Sequence, residues 1–359
     1  MSSLKKIPSP LVSLLPIVLL VGMLFATIHT FGSDALGGGS QISLLTTTAF
    51  CVFIGIAFYR VPWKDYELAI TNNIAGVATA IIILLIIGAL SGAWMISGIV
   101  PTLIYYGMQI IHPDFFLAST CIICALISVM TGSSWTTIAT IGIALMGIGK
   151  AQGFNEGWIA GAIISGAYFG DKMSPLSDTT NLAPAMAGTP VFSHMKHMVY
   201  TTTPSYIVAI VLYAILGFSV VGENADLGTI DLYLETLSAN FNISPWMLIP
   251  PICVLLMVVF KVPAIPGLIG VAVLGGIFAA IFQGAHLSEI LASTYTGVSM
   301  DTGVEAINKL LNRGGLSSML DTIALILIAL AFAGIVERTG MVHSIVEKIL
   351  TVAKSDKAL

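Results

Sequence analysis

The sequence predicts an all-α membrane protein whose helices are interrupted by polar, re-entrant segments. Hydrophobic residues make up 57% of the 359 residues, charged residues only 9%, and the mean hydropathy is +0.98. A soluble domain carries about a quarter charged residues. One polar stretch, Gly170–Asn181, nevertheless lies between apolar segments. Backbone groups cannot stay unpaired in lipid, so such a break must line an enclosed or wet cavity.

The apolar segments fall into two classes by length. Predicted full spans are Pro10–Thr30, Ile42–Tyr59, Ile74–Leu90, Phe115–Met130, Tyr206–Val220, Met247–Phe260, Gly267–Ile281 and Asp321–Val336. Shorter pieces are Ile99–Ile111, Trp135–Ile148, Trp158–Phe169 and Val342–Val352. A bilayer needs about 17–25 residues, so the shorter pieces are interpreted as half-helices or re-entrant hairpins. Each of them ends at Gly, Pro or a Ser/Thr cluster.

Basic residues predict the orientation of the chain. Lys5 and Lys6 precede the first span, and Arg60 and Lys64 follow the second. The intervening loop, Phe31–Gln41, has no Lys or Arg. By the positive-inside rule, the N-terminus of this multi-pass protein is cytoplasmic. No cleavage site clearly follows the first span, which is therefore interpreted as a retained helix.

Composition and motifs also exclude several functions. The net charge of −4 gives no indication of a nucleic-acid partner. The sequence contains no G-x-S-x-G, H-E-x-x-H or P-loop pattern, which argues against an enzyme. Cys121 and Cys124 have C-x-x-C spacing without a second pair or a nearby His, so small buried side chains are predicted rather than a redox or metal site. No cofactor is predicted.

A weak internal repeat suggests a duplicated, inverted architecture. Leu84–Gly98 resembles Ile326–Gly340 at a shift of 340 − 98 = 242 residues. Duplicated and often inverted halves are common among secondary transporters. We therefore predict a first repeat with scaffold helices and ion-site half-helices over residues 1–245, and the start of a second repeat over residues 246–359.

The repeat has a consequence for the polar segments. Their second copies would lie near positions 373 and 412, beyond Leu359. Three interpretations remain open: the chain is a fragment or one half of a split carrier, it needs a second chain, or the repeat is a coincidence of apolar sequence. The second chain would be another copy in a homodimer or a complementing C-terminal half. In the fragment interpretation, we expect the chain alone to be unstable and inactive.

The first polar constellation is Thr131–Thr137, at the end of an apolar segment. Hydroxyl groups and freed backbone carbonyls suit a small, hard cation such as Na⁺. Small hydroxyl residues also pack membrane helices against each other, and this alternative stays open. The candidate ligands are Ser133, Ser134, Thr136 and Thr137.

The second constellation is Gly170–Asn181, which carries two carboxylates seven residues apart. A carboxylate in a low-dielectric cavity tends to keep its proton, and a bound cation reverses that tendency. One Asp that accepts either H⁺ or Na⁺ would therefore support exchange. The alternative is an ordinary loop with its charges in water. The candidate ligands are Asp171, Ser174, Ser177, Asp178, Thr179, Thr180 and Asn181.

Two motifs resemble those of a known family. Gly132–Thr137, GSSWTT, and Gly170–Pro184, GDKMSPLSDTTNLAP, are similar to motifs of the NhaC-type Na⁺/H⁺ antiporters, within an ion-transporter superfamily of two-repeat carriers. The resemblance covers nearly the whole chain. It implies a secondary transporter of the inner (cytoplasmic) membrane, with a scaffold and a mobile part. Family members exchange Na⁺ and H⁺, and relatives exchange malate for lactate.

The combined interpretation is a proton-driven Na⁺/H⁺ antiporter in the lipid bilayer. Asp178 is predicted to be the shared Na⁺/H⁺ ligand, assisted by Ser177, Thr179 and Asn181. Asp171 and the hydroxyls of residues 133–137 are expected to lie nearby. The alternative within transporters is an organic-acid exchanger, in which half-helix N-termini would hold small carboxylates.

Overall fold

The computed structural model describes residues 7–32, 38–110, 112–131, 134–174, 177, 180, 184, 189–224, 227–260, 262–312 and 314–352. Regular structure within these ranges is helical, and they contain no strand. The all-α prediction is therefore confirmed for this part of the chain. Statements below refer to these residues.

The α-helices are numbered here in chain order. They are α1 (Pro10–Phe31), α2 (Gly39–Tyr59), α3 (Trp63–Ile96), α4 (Ile99–Ile110), α5 (Phe116–Thr131), α6 (Ser134–Thr137), α7 (Ile143–Ala151), α8 (Glu156–Met173), α9 (Val191–Asn224), α10 (Leu227–Asn240), α11 (Ile249–Val259), α12 (Ala264–Gln283), α13 (Leu287–Thr296), α14 (Glu305–Leu311), α15 (Leu320–Arg338) and α16 (Met341–Val352). Short 3₁₀ turns cover Pro113–Phe115, Pro245–Leu248 and Leu316–Met319, and a π-turn, Ile138–Gly142, joins α6 to α7.

Six described helices are long and apolar enough to cross a membrane. They are Pro10–Phe31, Gly39–Tyr59, Trp63–Ile96, Ser193–Ser219, Ile265–Gln283 and Leu316–Arg338. The bent pair formed by α4 and the segment Pro113–Val129 makes a seventh if it is counted as one span. The multi-pass prediction is confirmed at this level.

Two predicted full spans are shorter than expected. Phe115–Met130 becomes the 16-residue helix α5, which reaches span length only together with α4. Met247–Phe260 becomes a 3₁₀ turn followed by the 11-residue helix α11. Pro250 and Pro251 lie in the first turn of α11, where proline fits because its missing N–H would be unpaired in any case. They fix the start of this helix and leave it too short to cross a bilayer alone.

The described residues of Met1–Leu84 and Met319–Leu359 form one compact unit. Its core includes Cys51, Tyr66 and Met341, all fully buried. The hydroxyl of Tyr66 lies against Gly55, where a Cβ atom would overlap it. This close approach holds the start of α3 against α2.

In the same unit, α15 runs antiparallel to the start of α3. The three contacts follow this order along the helices: Asp65 with Arg338, Ala69 with Gly334, and Asn73 with Leu330. The first is an ion pair whose side chains are 29% and 26% exposed, and the third is a hydrogen bond of 3.3 Å from the Asn73 amide to the Leu330 carbonyl. Because Gly334 has no side chain, it lets the two backbones approach.

Leu85–Ser318 forms the second compact unit. It contains α4 to α14 and the described parts of both polar segments. Glycines allow backbone contacts within it: a Cβ atom on Gly92 would overlap the Ser293 carbonyl, and one on Gly315 would overlap the Gly297 amide. The indole of Trp94, almost fully buried, donates to the Val271 carbonyl at 3.4 Å. The predicted repeat boundary near residue 245 concerns sequence duplication and stays a prediction.

Candidate functional site

Helices α5 and α8 pack against each other more extensively than any other pair in the second unit. Ala162, Gly166 and Gly170 lie four residues apart on α8 and present a smooth face. A Cβ atom on Gly166 would overlap the Cys121 carbonyl, and one on Gly170 would overlap the Ala125 carbonyl. Small residues at this spacing let membrane helices approach backbone to backbone.

The two helices run parallel and in register. Three contacts keep the same offset of 45 residues: Cys121 with Gly166, Ala125 with Gly170, and Val129 with Ser174. Because the offset is constant, both helices point the same way and end at the same level. The C-termini of α5 and α8 therefore lie side by side, which the sequence alone did not show.

Two buried hydroxyl groups fix this register. Ser128 on α5 donates to the carbonyl of Ala167 on α8 at 2.5 Å. Ser174, at the end of α8, donates to the carbonyl of Val129 on α5 at 2.7 Å. Both serines are fully buried. In a low-dielectric interior, these bonds resist sliding because breaking them would leave polar groups without partners.

Two described residues that follow α8, Ser177 and Thr180, lie close to the end of that helix. Thr180 donates its hydroxyl to the carbonyls of Asp171 and Lys172 at 3.1 and 3.3 Å. The backbone amide of Thr180 donates to the Ser177 hydroxyl at 3.5 Å. Both hydroxyl residues are 1% exposed. The last turn of α8 is thus contacted by the buried hydroxyl group of Thr180.

Two parallel helix C-termini side by side create a negative electrostatic environment. Each carries about half a negative charge from the aligned peptide dipoles. Carbonyl groups of the last turn face outward from each helix, and each carbonyl oxygen has two lone pairs. Such an arrangement attracts a cation, as discontinuous helices do in transporters.

Asp171 lies in the last turn of α8 and is 7% exposed. The sequence placed it within a helix break that starts at Gly170, and this detail is wrong. The helix continues to Met173 and ends at Ser174, because Gly170 serves the close contact with α5 and does not break the helix. A buried carboxylate requires a compensating cation or a proton.

The other polar segment lies against the same helix. α6, which carries Ser134 and Thr137, packs on α8. Ser134 is 5% exposed and Thr137 is fully buried, whereas Trp135 between them is 42% exposed. The π-turn Ile138–Gly142 follows directly. Single π-turns within helices occur frequently at functional sites, because they leave a local irregularity in the backbone hydrogen bonds.

Several predicted ligands lie outside the described residues. These are Ser133, Asp178, Thr179 and Asn181, and the same holds for the side chain of Thr136. Their assigned roles stay predictions. Of the others, Asp171, Ser174, Ser177 and Thr180 are brought together at the end of α8, while Ser134 and Thr137 lie on the helix that packs against it.

The described residues contain no group of three or more His, Cys, Asp or Glu side chains arranged to hold a metal ion. The oxygen donors assembled here are hydroxyl groups, carbonyl groups and one carboxylate. This donor set suits a hard alkali cation carried as cargo. Cys121 and Cys124 are free thiols, fully buried at the α5 surface that faces α8, so the predicted packing role is confirmed.

Comparison with known proteins identifies the family. The profile of the Na⁺/H⁺ antiporter family matches residues 166–359, a range that starts at the first of the two close-packed glycines of α8. The chain belongs to the Na⁺/H⁺ antiporter family. The resemblance seen in the two sequence motifs is therefore confirmed.

Relatives within this antiporter family have different named substrates. The chain is 40% identical to the malate-2H(+)/Na(+)-lactate antiporter of Bacillus subtilis, over 95% of this chain and 73% of the relative. It is 39% identical to the Na(+)/H(+) antiporter NhaC of Alkalihalophilus pseudofirmus, over 92% and 71%. It is 33% identical to the arginine/ornithine antiporter ArcD of Halobacterium salinarum, over 95% and 70%. No solved structure matches the chain.

Sequence reasoning missed the role of α9 in the second unit. Tyr206 on α9 donates its hydroxyl to the Cys121 carbonyl of α5 at 3.1 Å and stacks on Phe169 of α8, with ring centroids 3.8 Å apart. Two turns later, the Tyr213 hydroxyl lies 3.2 Å from the Ser165 hydroxyl of α8. One helix therefore holds both α5 and α8. Tyrosines seven residues apart in an apolar helix were the available indication.

Proposed function

We propose that this antiporter-family protein exchanges Na⁺ for H⁺ across the cytoplasmic membrane, driven by the proton gradient. The observation that carries the proposal is the pair of parallel helix C-termini, those of α5 and α8, which lie side by side with the buried residue Asp171 in the last turn of α8. Helix dipoles, carbonyl groups and hydroxyl groups at this point all favour a cation. The names of the relatives agree with Na⁺ and H⁺ as the exchanged ions.

In the proposed mechanism, one carboxylate alternates between a proton and Na⁺. Asp178 is the ligand that Na⁺ and H⁺ share, and Ser177, Thr179 and Asn181 complete the coordination of Na⁺. Asp171 lies at the base of the same site, in the last turn of α8. Because a buried carboxylate cannot stay uncompensated, Na⁺ leaves as H⁺ binds and H⁺ leaves as Na⁺ binds. Exchange then needs only alternating access of this site to the two sides of the membrane.

The proposed two-repeat architecture has support from helix ends. The Ser97 amide donates to Ala93 at 3.1 Å, and the Thr339 amide, 242 residues later, donates to Ile335 at 3.0 Å. Gly98 and Gly340 both adopt positive φ, 81° and 78°, where glycine is favoured. Two further backbone hydrogen bonds recur at the same shift. The amides of residues 98 and 340 each donate to the carbonyl three residues earlier, and the amides of residues 102 and 344 each donate to the carbonyl four residues earlier.

We further propose that the two repeats are inverted, so that their equivalent helices cross the membrane in opposite directions. Within the first unit, the start of α3 runs antiparallel to α15, the helix that carries the second copy of the repeated segment. We therefore keep the division into residues 1–245 and 246–359, with a cytoplasmic N-terminus, as part of the proposal.

The function is tested with the full chain in proteoliposomes that contain a pH-sensitive dye. A Na⁺ gradient should drive proton movement in the opposite direction. Asp178→Asn and Asp171→Asn should each abolish this flux, whereas Glu235→Gln, an exposed carboxylate on α10, should preserve it. Retained Na⁺-dependent flux in both Asp variants would contradict the site. No Na⁺-dependent flux in the wild type would contradict the exchange itself.

A second candidate is exchange of organic acids coupled to Na⁺ and H⁺. The observation that favours it is the 40% identity to the malate-2H(+)/Na(+)-lactate antiporter. The same vesicles distinguish the two candidates when malate is placed inside and lactate outside. Na⁺-dependent proton flux that appears only with both acids supports the second candidate. Flux that is independent of the acids supports simple Na⁺/H⁺ exchange.

A further inference from the structure

The second unit contains a pocket of about 260 Å³ whose lining includes Ile138 and Gly142 of the π-turn after α6. It lies between α4, α7, α8 and the last turns of α3, and its walls are mainly aliphatic. Met95, Ile104, Ile143 and Ile163 are representative wall residues. A water molecule occupies about 30 Å³, and a pocket of about 260 Å³ therefore has room for roughly nine non-hydrogen groups of that size.

Among the described residues that line this pocket, Lys150 alone is charged. It lies near the C-terminal end of α7, just before the turn of residues 152–155. Gly153 and Asn155 in that turn are exposed, and Trp158 at the start of α8 is 44% exposed. Tryptophan at this position is typical of the membrane–water interface. The charged end of the pocket therefore lies near the interface, and the aliphatic walls extend into the apolar layer.

The cation of Lys150 is held by a partner that can be exchanged. Its Nζ lies 2.5 Å from Oε1 of Glu156, and the two side chains are 15% and 55% exposed. A mostly buried ammonium group needs a negative partner, whereas an exposed carboxylate is readily solvated by water. A ligand carboxylate can therefore replace Glu156 beside Lys150 at little cost.

We propose that this pocket binds an anionic amphiphile with a single alkyl chain, of the chemical class of fatty acids. The carboxylate pairs with Lys150 at the interface, and the chain fills the aliphatic pocket. The pocket volume matches a chain of medium length. The pocket lining includes Ile138, the residue after Thr137, and on α8 it ends at Ile164, seven residues or about 10 Å before Asp171. The inference does not rest on the proposed function.

The test is binding of radiolabelled octanoate to the full chain in phosphatidylcholine nanodiscs, corrected for empty nanodiscs. We expect saturable binding that octanol and octyltrimethylammonium compete for poorly. Lys150→Gln removes the charge-assisted contact and should weaken binding about tenfold. Glu156→Gln removes the internal competitor for Lys150 and should tighten binding severalfold. These opposite signs distinguish recognition of the carboxylate from simple partitioning into an apolar cavity.

Ala160→Phe fills the pocket and should abolish octanoate binding, while Gly270→Ala, in an open stretch of α12, serves as the matched control. Nanodiscs of phosphatidylglycerol test a two-chain anion: unchanged octanoate affinity there supports a single-chain ligand, whereas loss of octanoate binding would overturn the proposal in favour of an anionic phospholipid. Equal affinity for octanol, or unchanged affinity in both charge variants, would overturn the proposal. If Lys150→Gln does not fold, the Glu156→Gln and Ala160→Phe results decide.

Discussion

Gly170→Ala tests whether the close contact between α5 and α8 positions the candidate site. A Cβ atom at this position would lie 2.6 Å from Ser128 Cβ and 2.8 Å from the Val129 amide nitrogen, and it would overlap the Ala125 carbonyl. Real Cβ contacts essentially never fall below 3.0 Å, so the Ser128 contact alone requires a shift of at least 3.0 − 2.6 = 0.4 Å. Two of the three obstructing atoms are backbone, so a side-chain rotation cannot relieve the overlap.

The helices must therefore separate, and overpacking of this kind costs about 1–3 kcal/mol. Separation also lengthens the hydrogen bond from Ser174 to the Val129 carbonyl. We expect a lower apparent melting temperature in nanodiscs and a loss of Na⁺-dependent proton flux in proteoliposomes. In the control, Gly270→Ala, no atom lies within 4 Å of the new Cβ, and better helix propensity should stabilise by up to about 1 kcal/mol. Equal stability and flux in the two variants would refute the argument.

Three further predictions concern other contacts. Tyr206→Phe keeps the ring stack on Phe169 but loses the hydrogen bond to α5, whereas Tyr206→Leu loses both contacts. We therefore expect Tyr206→Phe to lower the Na⁺ affinity less than Tyr206→Leu does. Equal Na⁺ affinity in both variants and the wild type would exclude a positioning role for Tyr206. Arg338→Gln should cost about 1–2 kcal/mol in SDS titration, with partial rescue by the charge swap Asp65→Arg/Arg338→Asp; no loss would show that the ion pair is solvated. The Gly303 amide and the side chain of Asn308 lower the pKa of Asp301, so this exposed carboxylate stabilises its loop above its usual pKa and loses that effect as pH falls through the lowered value. Asn308→Ala should raise the pKa of Asp301 in ¹³C NMR of the carboxyl group, and an unchanged value would contradict the assignment.

Composition and hydropathy were sufficient to predict the class of the fold, because uninterrupted apolar segments of about 20 residues are typical of membrane-spanning helices, which satisfy their own backbone groups. The same information did not predict two helix boundaries, because glycine and proline have more than one structural role. Gly170 seemed to end a helix, yet its lack of a side chain serves the contact with α5, so the helix continues past Asp171. Pro250 and Pro251 lie in an apolar run but set the start of a short helix.

The polar motifs predicted the chemistry of the site but not its geometry. Hydroxyl and carboxylate residues in a strongly apolar chain indicated ligands for a cation, although the sequence did not show which of these side chains lie close together. The parallel alignment of α5 and α8 depends on contacts between residues 45 positions apart, and Tyr206 contacts Cys121, which is 85 positions away. Such pairings follow from packing of whole helices, and no local pattern contains them. The small-residue spacing at Gly166 and Gly170 was the one local indication of close packing.

Proton release on Na⁺ binding is the most direct test of the claim that Na⁺ and H⁺ share one carboxylate site. The full chain in nanodiscs is titrated with NaCl in weakly buffered solution, and the pH change is compared with that for choline chloride. We predict that Na⁺ displaces protons from the wild type, and that Asp178→Asn and Asp171→Asn reduce both the displacement and the Na⁺ affinity. Na⁺ binding without proton release, or release that is unchanged in both variants, would contradict a shared site at the ends of α5 and α8.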